Sequence, residues 1–265
     1  MKSTRILVWK VGGNAPPRRE SDEVATEEPL EIRIEGRAVS ITLRTPGDDE
    51  ELAAGFLLTE GVLSRASDIA TIRPNPRNPG GNSIDLFLRP EVTVDFPSLT
   101  RHVFTSSSCG LCGKASIQAV CRRFRKLPTG FHIRASLLRS LPSLMRSAQP
   151  TFDRTGGLHA AALFDRQGKL LVLREDVGRH NAVDKVIGHA LLTGSIPLDA
   201  SILLVSGRAS FEIVQKSLAA RIPVVAAVSA PSSLAVDLAR RAGTTLIGFL
   251  REGRMNLYAG RGRIR

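Results

Sequence analysis

SILLVSG (201–207), IPVVAAVSA (222–230) and TTLIGFL (244–250) are three short, nearly continuous apolar runs, and the segments between them, ASFEIVQKSLAA (209–220) and SSLAVDLARRAG (232–243), carry helical spacing. A strand with one wet face alternates apolar and polar residues. A run that is apolar at almost every position suits a strand covered on both faces, as in a largely parallel sheet with helical crossovers. The expected fold is therefore α/β. Upstream, HAAALFD (159–165) and KLLVLRED (169–176) read as strands about a turn at Gln167 and Gly168, and NAVDKVIGHALL (181–192) reads as a helix.

The amino-terminal half is patterned differently. EIRIEGRAVSITLRT (31–45) reads as a β-hairpin, with Ile32 and Ile34, then Val39, Ile41 and Leu43, alternating with polar residues around Glu35-Gly36-Arg37. GDDEELAAGFLLTEGVL (47–63) spaces its leucines and Phe56 as a helix that Asp48 or Asp49 would cap. PNPRNPGGN (74–82) is a loop and SIDLFLR (83–89) a further strand. KASIQAVCRRFRK (114–126) puts Ile117, Val120, Cys121 and Phe124 on one helical face, which makes Cys121 a core residue. VGGNAPPRRESDEVATEEP (11–29) has almost nothing to bury. The expected organisation is a flexible tail over 1–28, a smaller α+β domain over 29–129, and an α/β domain over 130–265.

The chain has 265 residues, long enough to bury a substantial core. Its opening MKSTRILVWKVGG lacks the apolar run of a signal peptide, and no later stretch approaches a membrane span, so a cytoplasmic protein without membrane contact is expected. Lys and Arg total 37 against 25 acidic residues, a net charge of +12 that favours a polyanionic partner. Aromatics are only 5% of residues, too few for the stacking platforms of single-strand binders, which argues against nucleic acid.

Two of the three cysteines stand in SSSCGLCGK (106–114) as Cys109 and Cys112. Structural zinc needs a second ligand pair, and only Cys121 and scattered histidines are on offer, so no metal is expected. A thioredoxin-like dithiol would follow a first strand, whereas this pair follows about a hundred residues of mixed structure. The third reading is a sulfur-handling nucleophile, a thiolate that accepts sulfane sulfur and passes it on. Gly110 and Gly113 permit close approach of a reactant, and a helix beginning near Gly113 with Lys114 beside it favours thiolate.

Two familiar motifs fail on inspection. CGKAS lacks the first glycine and the final hydroxyl of a phosphate loop. LHAAAL carries Ala161 where a zinc deaminase needs its general acid/base glutamate. His159 then reads as structural. Two other segments look like ligand-facing loops: REDVGRHN (174–181), and Ser206-Gly207-Arg208, where backbone N–H groups, a hydroxyl and a guanidinium follow a strand and suit phosphate. Arg251 and Arg254 in REGR emerge after the last apolar run, where α/β sheets bind ligands, and Gly253 would let a ligand approach the backbone.

TSSSCGLCGKASI (105–117), REDVGRHNAVDKVIG (174–188), SGRASFEIVQKSLAARIPVVAAVSAPSSLAVDLA (206–239) and GFLREGRMNLY (248–258) together resemble the FdhD family of formate dehydrogenase accessory proteins. The resemblance implies a carboxy-terminal cytidine-deaminase-like mixed sheet flanked by helices, without deaminase chemistry. It implies a homodimeric sulfurtransferase. A cysteine desulfurase would load sulfur onto Cys109, with Cys112 as its partner, and the sulfur would pass to the molybdenum bis(guanine dinucleotide) cofactor of formate dehydrogenase, bound as cargo. Phe249, Leu250, Arg251, Glu252, Gly253 and Arg254 match the family's cofactor-binding stretch, for which guanine nucleotides would be partial mimics. The rival expectations are a dithiol–disulfide oxidoreductase and a nucleotide- or nucleic-acid-binding module.

Overall fold

The three apolar runs become three adjacent parallel strands, β9 (Ile202–Val205), β10 (Val224–Ala227) and β11 (Thr245–Gly248). A computed structural model describes residues 1–13, 15–76, 78, 80–97, 99 and 113–265. Around the parallel centre lie β7 (His159–Phe164), β8 (Leu170–Asp176) and β12 (Asn256–Ala259), in the order β12-β11-β10-β9-β7-β8, with the β7–β9, β7–β8 and β11–β12 pairings antiparallel. The sheet is therefore mixed, as expected of the α/β fold.

Strand parity explains why these runs lack alternation. Ala161, Leu163, Leu203, Val205, Val225, Ala227 and Leu246 enter one core, while Ala160, Ala162, Phe164, Ile202, Leu204, Val224, Ala226 and Ile247 enter another. Successive side chains point to opposite faces, so both sets must be apolar when both faces are covered. Helices α5 (Arg179–Leu192), α6 (Phe211–Ala219) and α7 (Ser233–Ala242) contribute to the first core, and α3 (Ala135–Ser147) presents Leu138, Leu141 and Met145 to the second.

The amino-terminal sheet has the order β4-β3-β6-β5, from β3 (Glu28–Ile34), β4 (Arg37–Arg44), β5 (Ile69–Pro74) and β6 (Ser83–Leu88). Its Leu30, Ile32, Ile34 and Leu86 share the first core with Leu52 and Leu57 of α1 (Asp49–Thr59), Ile117 of α2 (Gly113–Arg123), Val183 and Leu218. The core thus runs unbroken across the 129/130 boundary. At each of Gly55 in α1 and Gly188 in α5 a Cβ would fall within 2 Å of the other helix's backbone, 1.8 Å from Asp184 O and 1.7 Å from Glu51 O. Only glycine permits that approach. Lys216 of α6 then reaches Asp184 at 2.8 Å and Thr59 Oγ1 at 3.0 Å, tying three helices through a buried polar cluster.

Three expectations need correction, and one segment left unread proves ordered. The segment expected to be a flexible tail over 1–28 contains an antiparallel ribbon of β1 (Ser3–Gly12) and β2 (Ala15–Ala25). Apolar burial is not what organises it, which is why the hydrophobic pattern missed it. Cross-strand pairing does: Lys10 meets Glu20 at 2.9 Å, Arg19 lies over Trp9, and Arg154 of α4 (Pro150–Thr155) holds Glu23 at 2.9 Å. Asp48 occupies the N-cap of α1, but at φ 58 its carboxylate does not cap; it accepts from Lys2 at 2.9 Å instead. Cys121 is only half-buried, packed against the edge of the core. The arginine-rich carboxy-terminal segment is anchored. Ile133 N–H donates to Arg263 O at 2.9 Å, Arg265 N–H donates to Ile133 O at 2.9 Å, and the buried Arg263 guanidinium donates to Gly243 O at 2.6 Å, Thr245 Oγ1 at 3.2 Å and Pro128 O. Among the described residues no carboxylate lies within 4.0 Å of that guanidinium, and burial holds its pKa below the ordinary arginine value.

Candidate functional site

The carboxyl ends of parallel strands collect side chains from several crossovers, and here they frame a cavity of about 640 Å³. β9 delivers Ser206, β10 delivers Val228, β11 leads to Arg251, and the antiparallel β7 begins beside them at His159. From the second face, α3 and the segment after it supply Met145, Arg146 and Phe152. Among the described residues two guanidiniums face a largely apolar floor, and no carboxylate lines the cavity.

Each wall has a local cause. Ser206 prolongs the β9–β7 pairing: its N–H donates to Ala160 O at 2.9 Å, and its Oγ accepts from Ala160 N–H at 2.9 Å. Gly207 is buried against His159, where a Cβ would lie 3.3 Å from Nδ1 and 3.6 Å from Arg179 Cδ. Its missing side chain lets the imidazole close on the loop. After β11, Phe249 takes φ 51, a left-handed conformation that costs a β-carbon residue on the order of 1–2 kcal/mol. That turn is pinned by Phe249 N–H to Ser229 O at 3.1 Å and Leu250 N–H to Ala227 O at 3.0 Å. The next residue, Arg251, donates from Nη1 to Val228 O at 2.5 Å and to Leu250 O at 3.0 Å, which steers its guanidinium onto the cavity wall.

The residues singled out in the sequence separate in space. Ser206 and Arg251 line one cavity, although 45 positions apart in the chain. Gly207 lies behind the wall, and Arg208 is exposed. Leu250 is fully buried in the second core, so its side chain packs and does not face the cavity. Phe249 is 40% exposed. Glu252 accepts from Ser143 Oγ of α3, Gly253 is open to solvent, and Arg254 is exposed beyond the cavity lining, with its N–H closing the REGR turn onto Arg251 O at 3.3 Å. Cys109 and Cys112 lie outside the described residues.

His159 and Arg146 of the wall were not read from the sequence as site residues, and Arg179 and His180 of the REDVGRHN loop fall outside the lining. His159, read as structural, stands on the wall; burial, then the Arg179 charge, pushes it below its ordinary value and favours neutral imidazole. His180, one residue beyond Arg179, is pushed down to about 4 by burial and then by Arg179, while its Nε2 lies 3.2 Å from Ser210 Oγ. Arg179 Nε is buried without a hydrogen-bond partner among the described residues. Arg146 is held over the Phe152 ring at 4.8 Å and pairs with Asp153 at 2.5 Å. The 138, 141, 145 spacing was a legible sign of α3, but nothing local said which cavity it would wall. Among the described residues no cluster of His, Cys, Asp or Glu has a metal-holding arrangement. No described helix is long and apolar enough to cross a membrane.

The profile of the FdhD/NarQ family matches residues 25–265. A sulfur carrier protein FdhD from Streptomyces avermitilis is 55% identical over 251 residues, covering 92% of this chain and 89% of its own. One of the same description from Mycolicibacterium paratuberculosis is 52% identical, covering 99% and 98%. A crystal structure described as a formate dehydrogenase accessory protein from Desulfotalea psychrophila superposes with a TM-score of 0.80 at 26% identity, each chain covered completely.

Proposed function

The chain belongs to the FdhD/NarQ family, and from that premise we propose that it is a sulfur carrier serving formate dehydrogenase. In this reading Cys109 thiolate attacks the terminal sulfur of a cysteine desulfurase persulfide. The new S–S bond forms as the desulfurase cysteine leaves as thiolate, so sulfane sulfur changes carrier without net oxidation. Cys112 is its partner. The substrate is the molybdenum bis(guanine dinucleotide) cofactor, which receives the sulfur before it enters formate dehydrogenase. As a sulfurtransferase it works in the cytoplasm as a homodimer, with no nucleic acid and no membrane partner.

The observation that carries the reading is the pairing of Arg251 and Ser206 on one cavity that no carboxylate lines among the described residues, with Phe152 and aliphatic side chains as its floor. A pterin dinucleotide offers flat heterocycles for such a floor and phosphates for guanidinium donors. Burial and the Arg179 charge favour the neutral form of His159, which can donate or accept a hydrogen bond there without adding charge.

The test is intact-mass analysis after incubation with a cysteine desulfurase and free cysteine. One added sulfur, lost in Cys109→Ala and kept in Cys121→Ala, is expected. Formation of a Cys109–Cys112 disulfide with no retained sulfur would instead make the protein a dithiol oxidoreductase.

A further inference from the structure

β7 is antiparallel to β9, so its far end carries the chain away from the cavity just described. Phe164 pairs with Ile202, at the amino end of the parallel strands, and the Asp165–Gly168 turn lies beyond it. Six residues of strand separate the two ends by about 20 Å. At this opposite end lies a second cavity, about 490 Å³, lined by Gly130, His132, Arg134, Arg166, Gln167 and Arg265. We propose that it is a binding site for a phosphate-bearing anion, built by the anchored carboxy-terminal segment and the β7–β8 turn.

Three features converge. First, the site is assembled, not merely basic. Ile133 is buried and pairs with Ile264, and the hydrogen bonds of Ile133 N–H to Arg263 O and of Arg265 N–H to Ile133 O fix the segment, leaving His132 and Arg134 exposed on the cavity side of it. Second, the basic side chains have no acidic partner among the described residues. Among the described residues none of His132, Arg134, Arg166 and Arg265 has a carboxylate within 4.0 Å, and the one acid of the adjoining turn, Asp165, spends Oδ1 on the N–H groups of Gln167 at 2.8 Å and Lys169 at 2.9 Å. Three guanidiniums gathered with no carboxylate within 4.0 Å among the described residues repel one another, and a multivalent anion removes that repulsion while accepting forked hydrogen bonds. Third, among the described residues the lining has no Phe, Tyr, Trp or aliphatic side chain, unlike the first cavity. It therefore recognises chiefly charge and oxygen geometry.

The ligand class is a diphosphate, either free or as the phosphate end of a nucleotide. Calorimetric titration of the full chain with inorganic pyrophosphate, and separately with adenosine diphosphate, distinguishes the two. Equal or tighter binding of pyrophosphate identifies the free anion, and tighter binding of the nucleotide identifies its phosphate end. Arg134→Gln and Arg166→Gln should each weaken binding tenfold or more, while Arg125→Gln, an exposed residue outside the cavity with the same change in charge, should leave it unmoved. Absence of saturable binding to both anions, or an equal loss in all three variants, would overturn the site and leave only general attraction by a basic protein.

Discussion

Lys185 Nζ lies 2.8 Å from Asp176 Oδ2, and neither side chain reaches solvent. The carboxylate also accepts from Thr45 N–H at 3.1 Å, Gly178 N–H at 2.8 Å and Asn181 Nδ2 at 3.0 Å, while the ammonium donates to Thr45 O at 2.8 Å. This pair ties the end of β8 to α5 and to Thr45, just after β4, and fixes the loop that leads through Val177 on the cavity wall to Arg179 and His180. Lys185→Met should cost about 3–5 kcal/mol, because it strands a buried carboxylate. Adding Asp176→Asn should return part of that loss. Urea denaturation measures both, and a single-variant loss below about 1 kcal/mol would contradict the arrangement.

Gly188→Ala tests the crossing of α1 and α5. The added methyl would meet backbone, the Glu51 carbonyl oxygen at 1.7 Å, so no rotamer change can relieve it and the helices must separate. Overpacking of this kind typically costs about 1–3 kcal/mol, and a backbone clash belongs at or above the upper end. A lowered thermal midpoint is expected. Gly253→Ala, with nothing within 4 Å, is the neutral control.

His180 makes stability depend on pH. Its folded-state value, pushed to about 4 by burial and the Arg179 charge, lies below the ordinary 6.5, so between these limits the unfolded chain binds the extra proton. Its contribution is complete above pH 6.5 and is lost as the pH falls towards 4. Thermal midpoints measured across that window should fall less steeply with acid in His180→Asn than in the parent protein. Identical slopes would mean that His180 titrates normally.

Arg251 and Arg254 are neighbours in the turn but unequal in position. Arg251→Lys removes a fork held on the cavity wall by Val228 O and Leu250 O, so affinity for a guanine nucleotide, the proposed mimic of the substrate, should fall about tenfold, roughly 1.4 kcal/mol. Arg254→Lys, exposed and outside the lining, should change it less than twofold, within about 0.4 kcal/mol. Fluorescence titration separates them. Equal effects would mean that these arginines act only through overall charge.

The strands β9, β10 and β11 were legible because burial on both faces leaves a mark on every residue of a short segment, and α5, α6 and α7 were legible through their helical spacing. The Cys109–Cys112 pair and the family blocks were legible for the same reason: their signal lies within a few consecutive residues. What the sequence could not disclose were relationships between distant segments. The β1–β2 ribbon rests on cross-strand charge pairs with no apolar periodicity, and Gly55 and Gly188 matter only because two helices 133 positions apart cross at that point. Arg251 and Leu250 are adjacent in the chain, yet one lines the cavity and the other is sealed in the core, because the left-handed turn at Phe249 sends them in different directions. Ser206, His159, Phe152 and Arg251 became one wall only when β7 inserted antiparallel beside β9 and α3 closed over the second face. Local pattern records which side of an element is buried; the neighbour against which it is buried is chosen by packing across the whole chain.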